Sequence, residues 1–186
     1  MITTLDKITA LILIDLQKGI VSYPAAHPIE GVLANCAKLV AAFRKAGQPI
    51  IIVNVDTAGA AWTKSRKEPS PARPAPTAGW TEIVAEIKTE PTDVFITKHT
   101  WGAFFETALD EELKKRNVTG IVIGGVSTSR GVEGTARQAS ERGYNLTFVT
   151  DAMTDLIADA HANSVKYIFP AIGEIGNTED VVALLQ

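Results

Sequence analysis

The sequence is most informative at Ile121-Val122-Ile123-Gly124-Gly125-Val126-Ser127-Thr128-Ser129-Arg130-Gly131-Val132-Glu133-Gly134-Thr135-Ala136-Arg137. An apolar run leads there through two glycines and a hydroxyl-rich turn into a pattern typical of a helix. This order predicts a buried strand, a tight turn and a helix, with the turn at the carboxyl edge of a sheet. Because α/β proteins bind their ligands at that edge, the stretch predicts both the fold class and the place of a site.

Short apolar runs rich in Ile and Val recur along the chain, and each has the length of a strand. They are continuous rather than alternating in polarity, which is typical of strands buried on both faces of a parallel sheet. These runs span residues 10–14, 49–55, 94–97, 120–123 and 145–149. Helical patterns follow them, so we predict a Rossmann-like, three-layer α/β/α sandwich with a doubly wound, mostly parallel sheet of about six strands.

Four apolar stripes have the spacing of helices. The first covers residues 32–43 and stops before Gly47, a typical position for the glycine that ends a helix. The others cover residues 105–113, 132–139 and 157–168. Each stripe needs a sheet face to pack on, which agrees with the sandwich.

Length, composition and charge narrow the class of protein. The 186 residues, 46% of them hydrophobic, predict a single domain over residues 1–186. A net charge of −3, with the basic residues scattered, argues against nucleic-acid binding. The apolar runs are too short to cross a membrane and no signal-peptide pattern occurs at residues 1–7, so we predict a cytoplasmic protein.

The Pro-rich segment 62–79 interrupts the alternation of strands and helices. Its prolines argue against a helix or a central strand. A loop of this length is typical of a lid, a binding loop or a subunit contact.

Two strands end in side chains that are suited to catalysis. Asp15 follows the apolar run 11–14, and Lys98 follows the run 94–97. Each has an ordinary interpretation as well, as a turn aspartate or as a solvated lysine. Since the carboxyl ends of parallel strands share one edge of the sheet, we expect both residues beside the glycine turn.

The turn and two nearby aromatic residues supply the candidates for substrate binding. The glycines fit neither the G-x-G-x-x-G nor the Gly-Lys-Ser/Thr fingerprint, so we predict no nucleotide and no other cofactor. Backbone N–H groups at the start of the helix suit an anion or a developing oxyanion. The predicted substrate-binding residues are Gly131, Val126, Ser127, Thr128, Arg130, Trp101 and Phe104.

The single cysteine and the three histidines are not predicted to be catalytic. Cys36 lies on the apolar stripe of its helix, where a buried thiol is usually inert. His27, His99 and His161 lack the spacings of a metal centre, so we expect no metal site.

Three ordered motifs resemble the isochorismatase-like hydrolase superfamily. They are the aspartate motif Leu-Ile-Leu-Ile-Asp15-Leu-Gln, the lysine motif Ile-Thr-Lys98, and the turn and helix at 125–137; residues 149–155 are also similar. The resemblance covers nearly the whole chain. It implies a non-proline cis peptide bond near Val126-Ser127 and a homo-oligomer, either a dimer or a tetramer. In most members the position of Gly131 holds the catalytic cysteine.

The glycine changes the chemistry that the resemblance implies. In cysteine-bearing amidohydrolases of the superfamily the aspartate acts as base, the cysteine attacks the carbonyl and the lysine assists. True isochorismatases carry glycine there and hydrolyse a vinyl ether without a covalent intermediate. By analogy, Asp15 would protonate the enol-ether carbon of a small, isochorismate-like organic acid, and water would attack while Lys98 orients the substrate or stabilises charge.

Two alternatives stay open. An amidohydrolase with Ser127, Thr128 or Ser129 in place of the thiol needs a base, and Asp15 is a poor one unless burial raises its pKa. A binding or assembly protein would keep the fold without turnover. A pocket that holds Asp15 and Lys98 in contact would favour catalysis, and a pocket filled by side chains would favour the binding protein.

Overall fold

The computed structural model describes residues 2–58, 60–68 and 76–185. The described residues form one sheet whose strands are β1 (Thr9–Ile14), β2 (Ile50–Val55), β3 (Val94–Lys98), β4 (Gly120–Val126), β5 (Asn145–Thr154) and β6 (Glu174–Gly176). The order across the sheet is β3-β2-β1-β4-β5-β6, and every neighbouring pair is parallel. This confirms the predicted doubly wound α/β class. The chain reverses its direction of winding between β1 and β4, the point at which such sheets open a crevice for ligands.

Helices cover both faces of the sheet. They are α1 (Lys18–Val21), α2 (Ile29–Lys45), α3 (Leu109–Lys115), α4 (Glu133–Ser140), α5 (Ala158–Asn163) and α6 (Thr178–Leu184). Shorter turns complete the set, with π-helical turns at Thr128–Val132 and Ser164–Ile168 and 3-10 turns at Ala61–Lys64 and Phe169–Ala171. Within the described ranges, none of the helices has both the length and the apolar composition that a bilayer-spanning segment needs.

The central strand β1 shows why the apolar runs are continuous. Ile12 and Ile14 pack into one core with side chains of α3 and α4, whereas Leu11 and Leu13 pack into a second core with α2 and α6. Every residue of β1 is buried. A strand covered on both faces needs an apolar side chain at each position, and its end then lies deep in the protein.

Three predicted boundaries need correction. β5 runs to Thr154 rather than to 149, because Gly125 and Val126 of β4 pair with Met153 and Thr154 after a shift in register. The helix predicted from residue 105 begins at Leu109, and Phe105 is exposed. The stripe at 157–168 is α5 followed by a π-helical turn.

Part of the Pro-rich segment 62–79 is described. Residues 69–75, which include Pro69, Pro71 and Pro74, lie outside the described residues. The described part begins in the 3-10 turn at Ala61–Lys64. Side chains from both ends of the segment reach the candidate site.

Candidate active site

Asp15 and Lys98 meet at the carboxyl edge of the sheet in a buried ion pair. Lys98 Nζ donates to Asp15 Oδ2 at 2.8 Å and to the Thr100 carbonyl at 3.1 Å. Asp15 is 5% exposed and Lys98 is 1% exposed. Burying a charge is costly unless it is paired, so each of these side chains requires the other. The structure thus brings together the two residues predicted to be catalytic.

The backbone at Asp15 is unusual for a residue other than glycine. Its φ is +53°, in the left-handed region that asparagine and aspartate tolerate best. The Asp15 N–H donates to the Val53 carbonyl at 2.9 Å, which ties the residue to β2. Among the described residues, its buried Oδ1 atom has no hydrogen-bond partner. Strain and an unsatisfied buried oxygen both lower stability, and both are typical of functional sites.

The acidity of Asp15 follows from its surroundings. Burial raises the pKa of Asp15 to about 6, because removal from water disfavours the carboxylate, and the Lys98 ammonium opposes that rise. A carboxyl group with a pKa near neutrality is able to donate a proton as an acid and to accept one as a base.

The glycine turn closes against β1 directly beside Asp15. Gly125 has a φ of +121°, and a Cβ there would lie 2.1 Å from the Ile14 carbonyl oxygen, so only glycine fits. The peptide bond between Val126 and Ser127 is cis, as the resemblance implied. The Ser127 carbonyl then accepts hydrogen bonds from the N–H groups of Arg130 at 3.2 Å and Val132 at 3.1 Å.

Gly131 faces the carboxylate of Asp15. A Cβ at this position would lie 3.2 Å from Asp15 Oδ2 and 2.8 Å from Ile14 Cγ2. The backbone of Gly131 is not in the left-handed region. A side chain here would therefore crowd Asp15 and Ile14, whereas the backbone conformation itself would accept one.

The hydroxyl groups of Thr128 and Ser129 belong to a network behind the turn. Thr128 Oγ1 lies 2.8 Å from His161 Nδ1. The pKa of His161 is lowered by burial and by the neighbouring His27. The Ser129 N–H and hydroxyl both donate to Asp155 Oδ2, each at 2.8 Å. Thr128 is fully buried, so its predicted place at the substrate is corrected: it supports the turn from behind.

A cavity of about 190 Å³ opens beside Asp15 and Lys98. Five of the predicted substrate-binding residues line it, namely Val126, Ser127, Arg130, Gly131 and Trp101. The pocket is therefore not filled by side chains, and its ion pair is in contact. This is the arrangement that favours catalysis over a pure binding protein.

Phe104 does not reach this cavity, which corrects its predicted role. It is buried in the core that contains α3 and α4. Its ring lies 6.1 Å from that of Tyr144, and the Arg142 guanidinium lies 4.8 Å from its centre. The apolar ring of Phe104 packs on the helices, whereas its neighbour Trp101 is exposed at the mouth of the cavity.

Several cavity residues were not singled out from the sequence. They are Ile20, Tyr23, Val55, Thr57, Trp80, Thr100 and Leu156. Trp62 and Pro76 also line the cavity, and they belong to segment 62–79, for which a binding loop is one of the predictions. Trp80 packs so closely on Gly19 that a Cβ there would lie 2.0 Å from the indole ring. All three tryptophans of the chain line the cavity. Their small number was the one feature of the sequence that could have indicated Trp80 as a site residue.

The chain is similar to known proteins over most of its length. Residues 9–180 match the Isochorismatase domain. The chain belongs to the isochorismatase family. Members of this family include hydrolases such as amidohydrolases and nicotinamidases, which supports a hydrolase in general terms.

Individual members of the isochorismatase family match the chain over most of its length. It is 38% identical over 184 residues to the uncharacterized isochorismatase family protein YecD of Escherichia coli O157:H7, covering 96% of this chain and 97% of that protein. It is 29% identical over 204 residues to the ureidoacrylate amidohydrolase RutB of Variovorax paradoxus, covering 94% of this chain and 80% of that protein. A solved isochorismatase family protein from Burkholderia thailandensis superposes with a TM-score of 0.91 at 37% identity, and the match covers 98% of this chain and 97% of that one.

The single cysteine of this isochorismatase-family chain is not among the residues that line the cavity. Cys36 is fully buried on α2, and its thiol donates to the Ala152 carbonyl at 3.3 Å. Burial raises the pKa of the Cys36 thiol far above its ordinary value. Over the described ranges, no group of three or more His, Cys, Asp and Glu side chains is placed to hold a metal ion.

Proposed function

We propose that this isochorismatase-family protein hydrolyses a small organic acid by direct attack of water, without a covalent intermediate. The observation that carries the proposal is that Gly131, which has no nucleophilic side chain, lines the cavity together with Asp15 and Lys98. The cavity, of about 190 Å³, holds substrate and water beside a carboxyl group whose pKa is about 6. A vinyl ether of the isochorismate type is the bond that suits this arrangement.

The proposed reaction uses Asp15 as a general acid. With a pKa of about 6, roughly one tenth of the Asp15 side chains carry a proton at neutral pH. Asp15 gives this proton to the enol-ether carbon, which leaves an oxocarbenium ion. One water molecule adds to that ion and returns a proton to Asp15, and the hemiketal then collapses to a ketone and an alcohol. Lys98, 2.8 Å from Asp15, stabilises the carboxylate that forms when the proton leaves.

Amide hydrolysis is the second candidate, because RutB is an amidohydrolase. Of the three hydroxyl groups considered as substitutes for the thiol, those of Thr128 and Ser129 are hydrogen-bonded behind the turn. Ser127 lines the cavity and is the candidate nucleophile in this case. Asp15 would then have to act as base.

Product analysis and protein mass distinguish the two chemistries. The protein is incubated with isochorismate and with a panel of amides and esters, and its intact mass is followed during turnover. We expect hydrolysis of the vinyl ether with the protein mass unchanged. Hydrolysis of amides only, with an acyl group added to Ser127, would overturn the proposal.

We also propose that the protein is a homo-oligomer, a dimer or a tetramer. The proposal is supported by the family resemblance and by large apolar side chains at the surface, among them Phe95 on the edge strand β3. Sedimentation velocity at micromolar concentration tests it, and a single monomeric species would contradict it.

A further inference from the structure

One cation of the cavity has no acidic partner among the described residues. Its charged side chains are Asp15, Lys98 and Arg130. The first two form an ion pair at 2.8 Å. In the part of the chain that the structure describes, Arg130 makes no ion pair, and its guanidinium lies 5.8 Å from the ring centre of Trp101. The Asp15–Lys98 pair is neutral as a whole, so Arg130 gives the cavity its attraction for anions.

Two other half-buried arginines show how unusual this is. Arg44 pairs with Glu90 at 3.2 Å and with Asp93 at 2.9 Å. Arg116 pairs with Glu112 one helical turn away. A guanidinium that has lost part of its hydration normally regains a carboxylate, because the lost solvation is costly. Arg130 lacks that compensation in the free protein, which indicates that its carboxylate comes from a ligand.

We propose that Arg130 is the specificity-determining residue that binds the carboxylate of the substrate. This inference rests on the proposed function, in which the substrate is a small organic acid. A guanidinium offers two parallel N–H donors that match the two oxygens of a carboxylate, and the Trp101 ring, whose centre lies 5.8 Å away, holds the cation at the cavity. The preferred ligand is therefore the acid, and its neutral amide or ester is discriminated against.

The walls of the cavity define the rest of the ligand. The indole rings of Trp62, Trp80 and Trp101 line it, and flat aromatic surfaces favour a planar, unsaturated body. The volume of about 190 Å³ lies below that of pockets for drug-sized molecules. Because Arg130, Gly131 and Asp15 line one cavity of this small volume, the carboxylate belongs to a short molecule that also reaches Asp15.

Tryptophan fluorescence tests this without any turnover, because all three tryptophans line the cavity. The probes are benzoate and crotonate, each compared with its neutral amide, titrated into the wild-type protein and Arg130→Gln. We expect the wild-type protein to bind the carboxylates at least ~10-fold more tightly than the amides, the range for charge-assisted hydrogen bonds. Arg130→Gln should lose that preference while its affinity for the amides stays the same. Arg130→Lys should retain part of it.

Arg137→Gln is the matched control, since Arg137 is exposed on α4 and pairs with Glu133 outside the cavity. It should bind every probe like the wild-type protein. A wild-type protein with no preference for carboxylates would overturn the inference. So would an Arg130→Gln variant that has an unchanged melting temperature but binds acids and amides more weakly to the same extent. Carboxylate binding without hydrolysis of the vinyl ether would instead count against the proposed function alone.

Discussion

Two ion pairs of almost equal length lie at opposite extremes of burial. Lys98 Nζ lies 2.8 Å from Asp15 Oδ2 at the buried carboxyl edge of the sheet. Lys38 Nζ lies 2.9 Å from Glu179 Oε1 between α2 and α6, where the two side chains are 58% and 71% exposed. An exposed pair contributes about 0–1 kcal/mol and weakens with added salt. The buried pair has lost its hydration, and one of its oxygens has no partner in the described structure.

The comparison shows that a short distance between opposite charges does not measure stabilisation. In the buried pair the attraction has to offset the desolvation of both groups, and such pairs often contribute nothing net. The raised pKa of Asp15 agrees with this, since burial outweighs the nearby ammonium. We infer that the buried pair serves the chemistry of the site, whereas the exposed pair contributes only a small amount of stability.

The largest expected difference between the two pairs is in catalysis. Asp15→Asn keeps the shape of the side chain but removes the proton donor, so the rate should fall at least ~10²-fold, the low end for general acid–base catalysis. Glu179→Gln, the matching change in the exposed pair, should leave the rate unchanged. Steady-state kinetics and circular dichroism on both variants measure the rate and the fold. Turnover by Asp15→Asn at the parent rate would refute the acid role.

The next effect concerns pH, and its sign separates acid from base. If Asp15 donates a proton, kcat/KM should be greatest below pH 6 and fall about tenfold per pH unit above it, as the carboxyl group with a pKa of about 6 loses its proton. An amidohydrolase that uses Asp15 as base should show the opposite slope through the same pH. Rates are measured from about pH 5 to about pH 8 at constant ionic strength. A rate that rises through pH 6 would favour the amidohydrolase.

A new side chain beside the buried pair should slow the reaction. In Gly131→Cys the Cβ meets Ile14 at 2.8 Å and Asp15 at 3.2 Å, so the space for water or substrate is reduced. We expect a rate lowered by about tenfold and no amidase activity. Gly31→Cys is the control, because a Cβ there would have no described atom within 4 Å apart from its own helix. Amide hydrolysis by a normally stable Gly131→Cys protein would count against the vinyl-ether mechanism.

The last expected effect is on stability between pH 3.8 and about 6, and over that range it should appear only for the buried pair. The pKa of Asp15 rises from 3.8 to about 6 on folding, so the folded protein holds the proton over that range while the unfolded chain has released it. The contribution of Asp15 to the free energy of unfolding should therefore be fully present below pH 3.8 and decrease as the pH rises to about 6.

Denaturant unfolding at several pH values checks this expectation. The decrease in the free energy of unfolding between pH 3.8 and about 6 should be absent from Asp15→Asn and retained in Glu179→Gln. An identical pH dependence in the wild-type protein and Asp15→Asn would show that burial does not raise this pKa.

Much of this fold could be predicted from the sequence, because its signals are local. A strand buried on both faces requires a continuous apolar run, so β1 and the first part of β4 are visible as composition alone. A charge directly after such a run lies at the carboxyl edge of the sheet, which is why Asp15 and Lys98 could be identified before their contact was known. The three-residue strand β6 is too short to give a pattern of that kind.

The edges of the site depend on contacts between residues that are distant in the chain. Trp80 reaches the cavity because it packs on Gly19, and Thr128 is withdrawn from it because it pairs with His161. Nothing local distinguishes the buried Phe104 from Trp101 three residues earlier. The pKa of Asp15 has the same origin, because it arises from the layers that cover β1 and from an ammonium 83 positions away. Periodicity reports which face of an element is buried, whereas desolvation and pocket shape arise only when the elements are packed together.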